Sequence, residues 1–251
     1  MDDLEGRIAE NRPVCAHYYR CRVRLEKPMG NVVPGQFIMI KVPSSAVFLR
    51  RPFSIYECGK QTITILYRVT GKGTQALARA GRGERVMILG PLGHGFRVQP
   101  GYTPVLVAGG IGIAGLRMLW KQLKGRAHML YGCATSEEAC LLEGVAGGIS
   151  RVATLDGTTG FAGTVIELLS RHLESIGGRP HIYACGPEAM YASLRSFLAG
   201  SGIPCQVLVE ERMACGLGLC FGCVKKTVDE VEPYKRACVE GPVFDLWQLS
   251  L

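Results

Sequence analysis

Residues 215–223 read CGLGLCFGC, and a fourth cysteine, Cys238, follows after fourteen more residues. The pattern Cys215-x4-Cys220-x2-Cys223-x14-Cys238 gives one loop enough thiols to wrap a small metal centre. Its x4 and x2 gaps match the plant-type 2Fe–2S spacing, in which a loop encircles the cluster and a distant cysteine closes it. Gly216, Gly218 and Gly222 suit such a loop, which needs positive φ and backbone N–H groups aimed at sulfur. A structural zinc site also uses four thiolates, but zinc ribbons present two Cys-x2-Cys knuckles and this chain has one. Iron–sulfur is the expectation; zinc, or cysteines without a metal, are the alternatives. The cysteines at 15, 21, 58, 133, 140, 185 and 205 show no ligand spacing and, Cys185 apart, read mostly as small core residues.

Three further stretches could hold parts of a nucleotide. Residues 110–115, GIGIAG, fit G-x-G-x-x-G between an apolar strand and a helix, where glycines let a pyrophosphate approach the backbone and the helix N-terminus. A tight strand–helix turn would give the same letters. The next strand ends in YGCATSEE, with no acid at the usual ribose position. In RRPFSI, residues 50–55, Arg51 stands beside a proline-fixed turn with the Ser54 hydroxyl three residues on, able to hold a phosphate and a polar ring edge. YRVTGKGT offers Gly73 and Thr74 as a phosphate-facing turn. Each fragment alone reads equally well as an ordinary barrel loop.

Two kinds of sheet must position these residues. YRCRVRLEK alternates with period two, putting Cys21, Val23 and Leu25 on one face and Arg20, Arg22 and Arg24 on the other. GQFIMIKV, FSIYEC, TITILYRV and ERVMILG continue the strand pattern, with turn signals between them and no long helical period. Residues 1–99 therefore read as an antiparallel β-barrel. Across residues 100–210 the apolar strands VLVAGG, HMLYGCA, RVATL and HIYACG alternate with the helical stretches GLRMLWKQLK, TVIELLSRHLES and PEAMYASLRSFLA, and CQVLVE offers a last strand. That alternation predicts a Rossmann-like parallel sheet covered on both faces. In residues 211–251 regular periodicity fades, and so short a segment needs a metal to organise it. The fold class is β plus α/β: barrel, nucleotide domain and small C-terminal 2Fe–2S module.

Totals exclude several functions. The 251 residues are 47% hydrophobic and 20% charged, which is globular, not disordered. The start lacks the pattern of a signal peptide, and the uncharged run 98–116 is broken by glycine and proline, so neither export nor a membrane span is expected. A cytoplasmic chain keeps its thiols reduced, which argues against a disulfide framework. The net charge is +8, but Lys and Arg are spread along the chain, so no nucleic-acid partner is expected. A basic solvated surface, or docking with an acidic partner or a phosphate-bearing ligand, covers that charge.

Taken in order, R-P-x-S, G-x-G-T, LGPLGHGF, GGIG at a strand end and CGP before a helix resemble the ferredoxin–NADP reductase superfamily. The ending EERMACGLGLCFGC with CVEGPVF resembles, within it, the electron-transfer subunits of dihydroorotate dehydrogenase B. The resemblance implies that Arg51, Pro52, Phe53 and Ser54 hold FAD, with Arg51 on phosphate and Ser54 near the flavin N5 edge. It implies that Leu66, Tyr67 and Arg68 line the flavin, with Gly73 and Thr74 on its pyrophosphate. Gly109, Gly110 and Gly112 would border NAD; Cys185, Gly186 and Pro187 would shape the place where nicotinamide and flavin meet. Cys215, Cys220, Cys223 and Cys238 would ligate the 2Fe–2S cluster. The implied partner is an FMN-containing catalytic subunit that oxidises dihydroorotate, in a heterotetramer of two copies of each chain. The implied activity is an oxidoreductase relay from that FMN through cluster and FAD to NAD⁺, in pyrimidine biosynthesis.

No catalytic acid or base is expected, so none of the five histidines is nominated. Ser136, Glu137 and Glu138 follow the second nucleotide-domain strand, and carboxylates there disfavour a 2′-phosphate, hence NAD over NADP. The family usually has proline where this chain has Gly115, which should loosen the start of the helix. The alternative readings are the flavin and iron–sulfur subunit of a ferredoxin-linked NAD(P) oxidoreductase or hydrogenase complex, and a sensor without turnover.

Overall fold

The computed structural model describes residues 2–43, 47–145 and 149–251. Strand β1 (Asp2–Cys15) pairs antiparallel with β2 (Tyr18–Leu25) along its second half and with β7 (Arg85–Leu92) along its first. Its sequence, LEGRIAENRPV, carries too many charges to announce a strand, yet Leu4, Gly6 and Ile8 turn inward at period two. On β2 the expected alternation holds, with Cys21, Val23 and Leu25 buried and Arg22 and Arg24 exposed.

Strands β3 (Phe37–Lys41), β4 (Arg51–Ser54), β5 (Glu57–Cys58) and β6 (Thr62–Arg68) complete a seven-stranded sheet in the order β4-β3-β7-β1-β2-β6-β5. All its pairings are antiparallel, and β4 packs on β6, curling the sheet into the expected barrel. Between β6 and β7 a helix appears that the pattern does not foretell, α1 (Lys72–Arg79). Eight residues that bury only Gly73 and Leu77 leave too little period to read. The Asn11 amide secures it by donating to the carbonyls of Leu77 (2.7 Å) and Ala80 (3.0 Å), two of the orphan acceptors at its C-terminal end.

The second sheet contains β8 (Thr103–Gly109), β9 (His128–Cys133), β10 (Ile149–Thr154), β11 (Phe161–Ala162), β12 (Pro180–Cys185) and β13 (Cys205–Leu208). These pair in parallel in the order β11-β10-β9-β8-β12-β13. Helices α2 (Ile113–Leu123), the short α3 (Ser136–Ala139), α4 (Val165–Leu173) and α5 (Glu188–Leu198) connect them. Successive β8 residues feed opposite cores: Val105 and Val107 pack with α4 and α5, Leu106 and Ala108 with α2. Helix α4 starts on a capping box: Thr164 accepts the Glu167 N–H while the Glu167 carboxylate accepts the Thr164 N–H.

The C-terminal segment forms a ribbon of β14 (Val224–Lys226) and β15 (Tyr234–Arg236), then returns as β16 (Val243–Asp245), antiparallel on β13. Cys223, Ala237 and Cys238 share one apolar core with Ile182 and Val207, so metal is not its only organiser.

One cysteine expectation is corrected. Cys15 and Cys140, expected as reduced thiols, are joined by a disulfide, Cα–Cα 6.8 Å, between residues 125 apart in sequence. No spacing signal could show this pair, because it is created by the end of β1 packing against the turn after α3. Cys21, Cys133 and Cys205 are buried free thiols, as expected of core cysteines, and Cys185 is buried and free as well. Among the described residues no helix is long and apolar enough to cross a membrane.

Candidate functional site

Two cavities meet where the barrel faces the second sheet. The first, about 360 Å³, is lined by Pro52, Phe53 and Ser54 of β4, by Leu66, Tyr67 and Arg68 of β6, and by Thr74 of α1. Tyr67 is fixed before any ligand arrives: its hydroxyl donates to Asn11 Oδ1 at 3.1 Å and its ring packs on Phe53 at 5.7 Å. Arg51 does not line the cavity directly, but its guanidinium crosses the helix start so closely that a Cβ on Gly73 would lie 2.6 Å from Arg51 Nε. The Thr74 hydroxyl is already engaged, accepting the N–H groups of Thr70 (2.9 Å) and Gly71 (3.1 Å). Anion binding at this turn thus falls to backbone N–H groups and Arg51, not to the Thr74 hydroxyl. An apolar slot with a hydroxyl and guanidinium edge and a phosphate-ready turn fits FAD.

The second cavity, about 550 Å³, is lined by Gly109, Gly110 and Gly112, by Gly186 and Pro187, and by Tyr18 and Glu138. Gly112 is there because of close approach: a Cβ would sit 2.0 Å from the Cys185 carbonyl oxygen. Tyr18 of the barrel donates to Glu138 Oε1 at 2.9 Å, and Glu138 Oε2 accepts the Ala134 N–H at 3.0 Å. Burial first, then the Glu138 carboxylate, pushes the Tyr18 hydroxyl up to about 12. Of the three polar residues after β9, only Glu138 faces the cavity.

Cys185 departs from expectation. It is fully buried and lines neither cavity. Burial drives its thiol well above the ordinary range. A Cβ on Gly115 would lie 3.0 Å from Cys185 Sγ and 3.6 Å from Ser54 Oγ, so thiol and hydroxyl converge on that glycine.

The cluster loop carries the expected backbone. Gly216 and Gly218 have φ of +71° and +79°; the third left-handed residue is Phe221, at +54°, rather than Gly222. The Leu217 N–H donates to Cys215 Sγ at 3.3 Å and the Gly222 N–H to Cys220 Sγ at 3.4 Å. Burial raises the Cys215 thiol, but the N–H groups of Leu217, Cys220 and Leu219 outweigh it and bring it down to about 6. Burial and the adjoining Cys223 push Cys238 up to about 12, a proton that a bound metal would displace. The sulfurs stand as two pairs, Cys215 with Cys220 (3.3 Å) and Cys223 with Cys238, with no three-ligand cage for a single ion among the described residues. Two pairs with N–H donors suit a two-iron cluster better than one tetrahedral zinc.

Four residues of the site escape sequence reading. Glu210 lies on the wall shared by both cavities together with Arg68 and Ile111; its side chain is open to the cavities, yet the protein packed around it raises its carboxyl. Met213 lines the first cavity two residues before Cys215. Arg236 donates to the Gly218 carbonyl at 3.0 Å, pairs with Glu240, and lies over the Phe221 ring at 5.1 Å. Lys225 bridges Glu211 (2.8 Å) and Glu188 (3.2 Å), tying β14 to α5 and to the cavity wall. The repeated acid in VEERM was the one visible hint of Glu210.

Comparison with known proteins bears on the whole chain. Residues 210–250 match the family model for the iron–sulfur cluster binding domain of dihydroorotate dehydrogenase B. The electron transfer subunit of dihydroorotate dehydrogenase B (NAD(+)) from Caldanaerobacter subterraneus subsp. tengcongensis is 36% identical, over 96% of both chains. That of Lysinibacillus sphaericus is 39% identical, over 98% of this chain and 97% of its own. Among solved structures, one of an NADH-dependent reduced ferredoxin–NADP oxidoreductase superposes with a TM-score of 0.86, covering 98% of this chain and 89% of that one, at 23% identity. A ferredoxin NADP⁺ reductase from Neisseria gonorrhoeae with bound FAD and NADP gives 0.66, covering 79% and 91%, at 15%. At such identities the solved structures show a shared fold.

Proposed function

The chain belongs to the family of electron transfer subunits of dihydroorotate dehydrogenase B (NAD(+)), and on that premise we propose that it carries electrons from the FMN of a catalytic partner through a 2Fe–2S cluster and FAD to NAD⁺, in de novo pyrimidine biosynthesis. The observation that carries the relay is the position of Met213, on the wall of the first cavity and two residues before Cys215. Two residues span at most about 7 Å, so the flavin cavity and the cluster loop are immediate neighbours.

When bound, the flavin supplies exchange between hydride pairs and single electrons, and the cluster supplies the single-electron step. The chain supplies placement. Arg51 and the turn before α1 take phosphate charge; Phe53, Leu66 and Tyr67 hold the ring and exclude water; Ser54 and Arg68 offer hydrogen bonds at its edge. Gly109, Gly110, Gly112, Gly186 and Pro187 let NAD approach the backbone, and Glu138 opposes a 2′-phosphate. Glu210, its carboxyl raised above the ordinary range, places a polar group on the wall between the two sites. Cys215, Cys220, Cys223 and Cys238 ligate the cluster, and loop N–H groups stabilise its reduced charge.

Residues 1–99 form the FAD domain, 100–210 the NAD domain and 211–251 the cluster module with its return strand. The chain works in the cytoplasm, two copies with two of the catalytic partner. Anaerobic purification with that partner, followed by metal, sulfide and flavin analysis, tests the reading. The expected yield is about two irons and two labile sulfides per chain, with FAD on this chain and FMN on its partner. Zinc without sulfide would overturn the assignment. A ferredoxin-linked reductase is the second reading on fold alone, and an FMN-free partner would favour it.

A further inference from the structure

Both halves of the molecule hold one edge of the second cavity. The barrel hairpin from β1 to β2 carries Cys15 and Tyr18, and the turn after β9 carries Glu138 and Cys140. Tyr18 reaches Glu138 across the cleft at 2.9 Å, and both line the cavity. Two residues beyond Glu138, Cys140 is bonded to Cys15, which stands three residues before Tyr18. The covalent bond thus lies directly behind the hydrogen bond that closes the cleft. Cys15 and Cys140 are only half-buried, at the rim of a cluster with Val14 and Leu142, whereas Cys21, Cys133, Cys185 and Cys205 are enclosed. A small reagent can reach this pair and not those inner thiols.

The geometry points to Cys15 and Cys140 as a reversible thiol–disulfide site that takes a low-molecular-weight disulfide and, when oxidised, locks the dinucleotide cleft shut at its Tyr18–Glu138 edge. In the reduced protein one thiolate attacks a sulfur of the small disulfide, forming a mixed disulfide and releasing one thiol. The second thiolate attacks that mixed disulfide, forming the Cys15–Cys140 bond and releasing the second thiol. Two electrons pass from the protein to the small disulfide, and the two thiol protons end on the released thiols. Excess small thiol drives the exchange back.

Without the bond, the hairpin and the turn after β9 are held by one hydrogen bond and side-chain packing, and part of the population opens. A ligand that needs the closed edge then binds more weakly in proportion to the closed fraction. The inference rests on reading this cleft as the NAD site, so its test keeps thiol chemistry and nucleotide binding separate.

The holoprotein is equilibrated anaerobically with glutathione or with glutathione disulfide, alkylated and mapped by mass, and each form is titrated with NAD⁺. Glutathione disulfide should link Cys15 to Cys140, glutathione should leave both alkylated, and the linked form should bind NAD⁺ roughly fivefold more tightly. Cys15→Ser and Cys140→Ser should bind like the reduced protein under both treatments. Full alkylation after glutathione disulfide would overturn the site, and a linked protein with the affinity of the reduced one would overturn the lock. Binding in neither form would overturn the NAD reading and the lock together, while the mass map still decides the redox pair.

Discussion

Glu138 holds the barrel through the Tyr18 hydroxyl and places a negative charge in the nucleotide cavity. Glu138→Gln keeps an oxygen for Tyr18 and removes the charge. The preference for NADH over NADPH, as a ratio of kcat/KM, should then fall about tenfold, the effect of one unit charge acting across a partly desolvated cleft. An unchanged ratio would mean that shape, not charge, excludes the 2′-phosphate. At Glu210 the folded state raises the pKa above the unfolded value, so the carboxyl lowers stability as pH rises from the ordinary range, about 4.3, through its raised value. Glu210→Gln should therefore melt at a higher temperature than the parent at neutral pH, with the gain vanishing in acid. A gain that grows in acid would contradict the raised pKa. The SEE run made Glu138 a visible candidate, but which of its acids faces the cavity depends on the short helix turning Glu137 outward. Glu210 was hidden, because a carboxyl at the end of a strand looks like any solvated strand terminus until two cavities are seen to share it.

Arg236 shows how an element steadies a cofactor loop. It ends β15, two residues before Cys238, and joins Glu240, the Gly218 carbonyl and the Phe221 ring. Arg236→Met removes the donor to the Gly218 carbonyl, the partner of Glu240 and the cation over Phe221, so the loop should open more often. Cluster absorbance in air should bleach several-fold faster than in the parent, with the flavin absorbance unchanged; equal bleaching rates would make Arg236 a bystander. A strand with period two, such as β2, and a continuous apolar run, such as β6, were legible, as were helices with a full apolar stripe, such as α4. Strand β1 was not, because its charged residues face outward from a sheet that is paired on both sides. Helix α1 was not, because eight residues with two buried positions carry no period. The iron–sulfur domain was the clearest signal of all, since metal geometry constrains cysteine spacing along the chain itself. The partnership of Cys15 with Cys140 exists only after the barrel and the nucleotide domain have packed together.

At the scale of the molecule, the proposed cofactor sites form a line: nucleotide cavity, shared wall at Glu210, flavin cavity, Met213, cluster loop. That order is written in the chain as three successive regions, but their contact is not, since it depends on β16 returning to pair with β13 and on Lys225 bridging Glu211 and Glu188. The line has one open end. Around Cys220, which is itself exposed, Leu219 and Phe221 are 78% and 60% exposed, an apolar presentation that an isolated soluble surface has little reason to keep. On the proposed relay electrons would leave or enter at this end, which makes these residues the expected seat for the catalytic partner. Leu219→Asp puts a charge at the centre of that seat while leaving the backbone N–H that serves Cys215 in place. A buried charge at an interface centre costs on the order of 2 kcal/mol or more, so the dissociation constant for the partner should rise about thirtyfold or more. NADH-driven reduction of a dye by the isolated, cluster-loaded subunit should stay within about twofold of the parent, because Leu219 is exposed and lines neither cavity. Co-elution with the partner at unchanged affinity, with the cluster spectrum intact, would move the docking face away from the cluster loop and leave the line without an exit there.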